Sequence, residues 1–383
     1  MHLLVAPNAF KNSLPAAAAA EAIRQGLGQS RLAHTCRCFP VADGGDGTGD
    51  LLALHLRALP VKTQVADPLG RTVTASIGLT SSGTAIIEMA SASGLRLLQP
   101  REYDPLHCSS AGTGQLMRLA LDQGAREILL GVGGSATVDA GVGLLHTLGV
   151  KFLDSLGNAL QPNAEGLLQL AAFDLSGLDP RAKGCRIVVL CDVTNPLLGD
   201  HGAAAVFGPQ KGADPATVRQ LESALTHFRD AVQSTTQVDI GSLLFGGAAG
   251  GVAAGLHALL GARLVGGADY FLEVTGFEEQ VLKSDIVITG EGSLDAQTLE
   301  GKAPYAVARQ ARGHGIAVVG LAGKIDFEAL RDHFDVLLPI GNGPTDLAQA
   351  LHDTESNLIQ TARQLGNLLA ISARTTSPKL NSP

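Results

Sequence analysis

The chain has 383 residues, enough for two or three domains at about 100–200 residues each. Its 28 Lys+Arg against 36 Asp+Glu give a formal charge of −8, with no basic cluster suited to a nucleic-acid backbone. At 45% hydrophobic and 17% charged residues it is too apolar for a disordered chain, and 47 Gly with 4% aromatics and no Trp suit close-packed α/β layers.

No run of about 18 apolar residues occurs, so no membrane span is expected, and MHLLVAPNAF is too short an apolar run for a signal peptide. The five Cys read as free thiols of a reducing cytoplasm; Cys36 and Cys38 form no zinc pattern by themselves.

In chain order, Met1–Ala6 predicts a buried strand, Pro7–Ser13 a loop, and Pro15–Gly26 an Ala-rich helix, with Pro suited to a first turn and Gly to an end. Thr35–Val41 predicts a second strand running into Asp43-Gly44-Gly45-Asp46-Gly47, then a helix to Leu56. Alternation over 61–90 predicts antiparallel strands with a turn at Pro68–Gly70. A helix over Gly114–Gln123, strands at Glu127–Val132 and Arg186–Cys191, and helices over 214–233 and 252–260 follow. Strands at Asp285–Thr289, Ala317–Leu321 and Asp335–Pro339, each followed by a helical pattern, restore the α/β rhythm. The fold class is therefore α/β: a doubly wound parallel-sheet domain built from both chain ends, 1–66 and 275–372, with a second α/β domain inserted at 67–274 and a flexible tail at 373–383.

In an open parallel sheet, ligands sit beyond the carboxyl ends of the strands. Pro7–Ser13, Asp43–Thr48 and Gly290–Asp295 then place Lys11, Asp43, Asp46, Glu291 and Asp295 on one rim, a lysine among carboxylates that suits Mg²⁺ and polyphosphate. The bland alternative is tight turns with solvated acids. The middle segment adds four loops: 131–137, Cys191–Pro196, Gly208–Gly212 with Lys211, and Gly246–Gly251, whose helix N-terminus could take an anion or whose small residues could simply pack. Glu88 ends a strand and reads as either paired or functional. No H-E-x-x-H, G-x-S-x-G or G-x-x-x-x-G-K-[ST] occurs, which removes the common zinc, serine-hydrolase and P-loop readings. Gly131, Gly133 and Ala136 fit G-x-G-x-x-A after an apolar strand, with a strand at Val150–Leu153 and Asp154 18 residues beyond Ala136. That spacing supports an NAD-dependent dehydrogenase as the alternative.

Nine strings in order carry a resemblance: APNAFKNSL (6–14), VADGGDGT (41–48), IEMASASGL (87–95), GTG (112–114), GVGGSATVDAG (131–141), CDVTNP (191–196), FGPQKGA (207–213), GAAGG (247–251) and GEGSLDAQT (290–298) with Gly301-Lys302. Together they resemble the type I glycerate kinase family over about residues 1–372. The resemblance implies a flavodoxin-like domain interrupted by a second α/β domain, with the site in the cleft between. It also implies ATP- and Mg²⁺-dependent phosphorylation of D-glycerate, at the 2-hydroxyl in most bacterial members, with 3-phosphoglycerate the other product. Three positions depart from the family pattern: Asn8 for Asp, Asp46 for Glu, and Ser293 for an Arg whose fork no Lys can imitate.

On that basis Asp192 is the expected base, with Asp43 the rival, and Lys11 is expected at the reacting groups. Lys11 and the amides around Gly133, Gly134 and Ser135, with Thr137 and Asn195, are expected to bind substrate. Lys211, Gly247, Gly250, Gly251, Gly290 and Lys302 are expected on ATP, and Asp43, Glu291 and Asp295 on Mg²⁺. The expected partners are D-glycerate and ATP, with no nucleic acid and no membrane; a homodimer is left open.

Overall fold

A computed structural model describes the backbone of residues 1–376 and the side chains through 372. The chain starts with β1 (His2–Val5), whose Leu3, Leu4 and Val5 are buried, and continues through the helix Ala16–Gly28 to β2 (Thr35–Cys38). It then enters a second unit holding β3 (Leu59–Ala66), β4 (Thr72–Leu79), β5 (Thr84–Glu88), β6 (Glu127–Gly131), β7 (Lys151–Leu153), β8 (Ala172–Asp174), β9 (Arg186–Cys191) and β10 (Arg263–Gly266). It returns to the first unit for β11 (Ile286–Leu294), β12 (Ala317–Ile325) and β13 (Val336–Pro339).

The first unit comprises Met1–Asp43 and Phe271–Pro383. Its sheet is wholly parallel, in the order β13-β12-β11-β1-β2. Counted within the unit this is the 2-1-3-4-5 order of a flavodoxin-like sheet, with its switch point between β1 and β11. The helix Ala16–Gly28 packs against the long helix Thr354–Thr376, and Leu3, Val5, Ile23, Leu27, Leu358 and Leu365 share one core. The two helices approach so closely that a Cβ on Gly26 would lie 2.2 Å from the Ile359 carbonyl oxygen.

The second unit, Gly44–Tyr270, holds a six-stranded sheet in the order β10-β9-β6-β5-β4-β3. β10, β9, β6 and β5 are parallel, while β4 and β3 add an antiparallel edge. The expected turn at Pro68–Gly70 joins that edge hairpin, with Asp67 accepting from the Leu69 and Arg71 amides. The parallel strands are near-continuous apolar runs, as burial on both faces requires.

Several expectations need correcting. Residues 44–66 belong to the second unit, because β3 pairs along its whole length with β4, and 271–274 belong to the first. Residues 290–294, expected as a loop, continue β11, held by pairing with the equally extended β12 as far as Leu294 with Ile325. Residues 373–376 of the expected tail are helical; 377–383 lie outside the described residues. After β6 the next helix, Val142–Thr147, starts only after Gly141.

The dinucleotide alternative also fails on topology. Its second strand must lie parallel to the first, yet β7 pairs antiparallel with β8 in a separate two-stranded ribbon. Asp154 spends its carboxylate on the Leu156 and Asn158 amides of its own turn.

Candidate functional site

In the second unit, the register pairs Gly131 of β6 with Leu190 of β9, so the segments after both strands emerge side by side. Beyond β9 stands Asp192, exposed; beyond β6 lie Gly133, Gly134 and Ser135. These residues and Lys211 line a cavity of about 210 Å³ whose other walls include Leu95, Val132, Val193 and Phe207. Lys211 is buried on the turn Pro209–Lys211 and donates from Nζ to Ser135 Oγ at 2.9 Å and to the Thr137 carbonyl at 2.7 Å. Burial pushes its pKa down to about 8, against the pull of Asp139, Asp192 and Cys108.

The loop after β6 is held from behind by Asp139. This fully buried carboxylate accepts from Ser110 N and Oγ and from the Gly141 and Gly143 amides. Burial raises its pKa and the four donors oppose that rise. In front, Gly133 lies against the Asp-Gly-Gly-Asp-Gly loop: its amide donates to the Gly44 carbonyl, and a Cβ there would sit 2.5 Å from Gly45 Cα.

Glu88, undecided in sequence, proves to be paired. It is half-buried at the carboxyl end of β5 and accepts from the Gly47 amide at 3.3 Å and the Gly49 amide at 2.6 Å, at the start of the helix Thr48–Leu56. Burial, with Asp46 and Asp50 nearby, pushes its pKa up to about 8 despite those donors. Asp46 itself forms an ion pair with Arg96 at 3.1 Å.

Five expected positions in this unit make contacts within the scaffold or are buried in it. Asn195 donates to the His201 carbonyl and accepts the Gly247 amide through its own carbonyl oxygen. Gly247, Gly250 and Gly251 pack against the backbone: a Cβ on Gly250 would lie 2.1 Å from the Thr137 carbonyl oxygen, and one on Gly247 2.3 Å from that of Pro196. The small residues of 247–251 permit this close packing. Thr137 is fully buried, and its hydroxyl has no hydrogen-bond partner among the described residues; it meets Lys211 only through its carbonyl.

In the first unit, Asn8 follows β1, Asp43 follows β2, and Glu291 lies within β11. Asn8 is buried and donates from Nδ2 to Asp43 Oδ2 at 3.0 Å. Glu291 is buried, accepts from Thr298 Oγ1 at 3.1 Å, and has Lys302 Nζ at 4.0 Å. Burial raises its pKa to about 7; Lys302 and Lys11 lower it, and Asp43 raises it. Lys11 is exposed on the loop after β1. Asp295 is less available than expected, since one oxygen accepts from the Gln297 amide and the other from Ser293 Oγ. Gly290 is an interior strand residue facing the Leu321 carbonyl, not a phosphate loop. Among the described residues no three His, Cys, Asp or Glu are grouped as a metal site, so Asp43, Glu291 and Asp295 do not form a ready-made triad.

Sequence reasoning missed Asp139 as an anchor and Thr298 as the hydroxyl on Glu291. The signal for Asp139 was available: a lone acid in GGSATVDAG, among small and apolar residues, has to be buried and satisfied.

The first unit is thus a flavodoxin-like sheet with acids and lysines near its switch point, and the second carries an acid and a buried lysine on one small cavity. The model of the glycerate kinase family matches residues 3–370. Glycerate 2-kinase of Escherichia coli (strain K12) is 40% identical over 382 residues, covering 98% of this chain and 99% of that protein. Glycerate kinase of Bacillus subtilis (strain 168) is 41% identical over 95% of this chain and 97% of its own. A crystal structure assigned to glycerate kinase 2 of Salmonella typhimurium LT2 superposes with a TM-score of 0.85 at 40% identity, covering 98% of this chain and 99% of that one. The chain belongs to the glycerate kinase family, and is an ATP-dependent kinase.

Proposed function

We propose that this chain transfers the γ-phosphoryl group of ATP to the 2-hydroxyl of D-glycerate, giving 2-phospho-D-glycerate and ADP. The observation that carries the reading is Asp192 at the carboxyl end of β9, on the same cavity as the Gly133–Ser135 turn and Lys211. As the hydroxyl oxygen bonds to phosphorus and the bond to the ADP oxygen breaks, Asp192 accepts the hydroxyl proton. Phosphoryl transfer otherwise rests on positioning and charge neutralisation.

The first unit carries the nucleotide and metal side. Asp43 and Glu291 fit Mg²⁺: they are hard oxygen donors, and Glu291 is a buried carboxylate held partly protonated by its surroundings and by Asp43, a burden that a divalent cation would relieve. When bound, the ion would neutralise charge on the phosphate oxygens. Lys11 and Lys302, both beside Glu291, belong with the phosphates rather than with the glycerate carboxylate. Asp295 organises the turn that presents Thr298. The five cysteines are unpaired, in keeping with a cytoplasmic enzyme. Among the described residues no helix is long and apolar enough to cross a membrane.

The test is incubation of pure protein with D-glycerate and ATP, with and without Mg²⁺, and identification of the product by phosphorus and carbon NMR. Only 3-phosphoglycerate would overturn the regiochemistry; no phosphoglycerate would overturn the reading. Asp192→Asn should lower kcat at least about 100-fold, and a drop under about threefold removes Asp192 from the base role.

A further inference from the structure

The cavity in the second unit is lined by one cation and one anion, Lys211 and Asp192. A buried ammonium is stable only with donors satisfied and charge compensated. Two of its three N–H groups are engaged, by Ser135 Oγ and the Thr137 carbonyl, both neutral acceptors. Asp139 influences Lys211 electrostatically, but its oxygens accept from four other donors, the Ser110 amide and hydroxyl and the Gly141 and Gly143 amides.

At about 210 Å³ the cavity lies below the roughly 300–1,000 Å³ of drug-sized ligand sites and has room for a three-carbon acid. Leu95, Val132, Val193 and Phe207 give it apolar walls beside the two charges.

We infer that Lys211 receives the carboxylate of the acceptor substrate in this cavity, and thereby sets the preference for a hydroxy acid over a neutral polyol. The inference rests on the proposed glycerate reading and deepens it. It replaces the expectation that Lys211 contacts the triphosphate. The third Lys211 N–H bonds one carboxylate oxygen, while the hydroxyl of the same small molecule faces Asp192. Ser135 acts as a positioning residue, holding Nζ at the cavity wall.

The experiment is steady-state kinetics of wild type and Lys211→Met with D-glycerate, with glycerol as the neutral analogue, and with Mg·ATP. Losing a buried charge-assisted bond should raise the D-glycerate KM about 100-fold, leave the Mg·ATP KM within about threefold, and remove most of the preference for glycerate over glycerol. A raised Mg·ATP KM with an unchanged glycerate KM overturns the assignment. Wild-type protein unable to phosphorylate glycerate at all would instead sink the underlying reading.

Should Lys211→Met fail to fold, the wild-type pH profile decides. Lys211 loses its charge above about 8, so the D-glycerate KM should rise about fivefold between pH 8 and pH 9 while kcat stays level. A flat KM to pH 9.5 overturns the inference. The groups acting on Lys211 are Asp139, Asp192 and Cys108, whose thiol is pushed up to about 11. Glu88 has a pKa in the same range, so the profile is repeated in Glu88→Gln: a rise that persists belongs to Lys211, and one that vanishes belongs to Glu88 and refutes the inference.

Discussion

Gly133→Ala tests the contact on which the second unit's site is built. A Cβ at 133 would lie 2.5 Å from Gly45 Cα, 2.6 Å from the Gly45 carbonyl carbon and 2.8 Å from the Asp46 nitrogen. All three are backbone atoms, so no flexible side chain can swing aside. Either the turn after β6 moves back against the loop anchored by Asp139, or the Asp-Gly-Gly-Asp-Gly loop moves forward and strains the Glu88 bonds to Gly47 and Gly49. Overpacking of this kind costs about 1–3 kcal/mol. For a unit of about this size each kcal/mol moves Tm by roughly 2–4 °C, so the shift should be roughly 2–12 °C downward. Because Gly133 also lines the cavity, the D-glycerate KM should rise in parallel. Differential scanning calorimetry and steady-state kinetics read the two effects. Gly184→Ala is the control: its Cβ meets nothing within 4 Å, so it should leave both unchanged or gain a few tenths of a kcal/mol from helix propensity. A Gly133→Ala protein with wild-type Tm and wild-type KM would refute the contact as drawn.

Two further predictions concern half-buried carboxylates. Burial raises the folded-state pKa of Glu88 from 4.5 to about 8, so its stabilising contribution is complete below about 4.5 and is lost as pH climbs through about 8. Glu88→Gln should therefore flatten the fall of Tm between pH 5 and pH 8.5, and a slope identical to wild type would show that Glu88 does not titrate there. Asn8→Asp would exchange the donor 3.0 Å from Asp43 for a second carboxylate. One of the two pKa values must then rise, so the variant should lose about 1–3 kcal/mol near pH 8, less near pH 4, with part restored by millimolar Mg²⁺. A deficit independent of both pH and Mg²⁺ would mean that Asn8 and Asp43 do not interact as described.

Local signals settled much of this protein before any coordinates. Short apolar runs such as LLVA and IVVLC, the latter rich in β-branched residues, read as strands buried on both faces, and their return after residue 284 already implied one sheet made from both chain ends. The glycine-rich loops were legible because their residue types are local necessities: φ of +97° at Gly44 and +68° at Gly134 disfavours almost anything else. What a residue faces is a different matter. Gly247 and Gly250 look in sequence like an anion-binding turn, but only the tertiary structure shows that the Pro196 and Thr137 carbonyls lie where a Cβ on either would have to go. Val150–Leu153 satisfies a strand pattern, but only pairing decides whether its neighbour is parallel, and β8 makes it an antiparallel ribbon. Lys211 and Ser135 are 76 residues apart, and no spacing rule joins them; their 2.9 Å bond exists only because the tertiary fold brings the turn Pro209–Lys211 against the segment after β6. Secondary structure and turn chemistry are decided within a few residues, whereas burial, charge pairing and the walls of a cavity depend on which distant segments the core brings together.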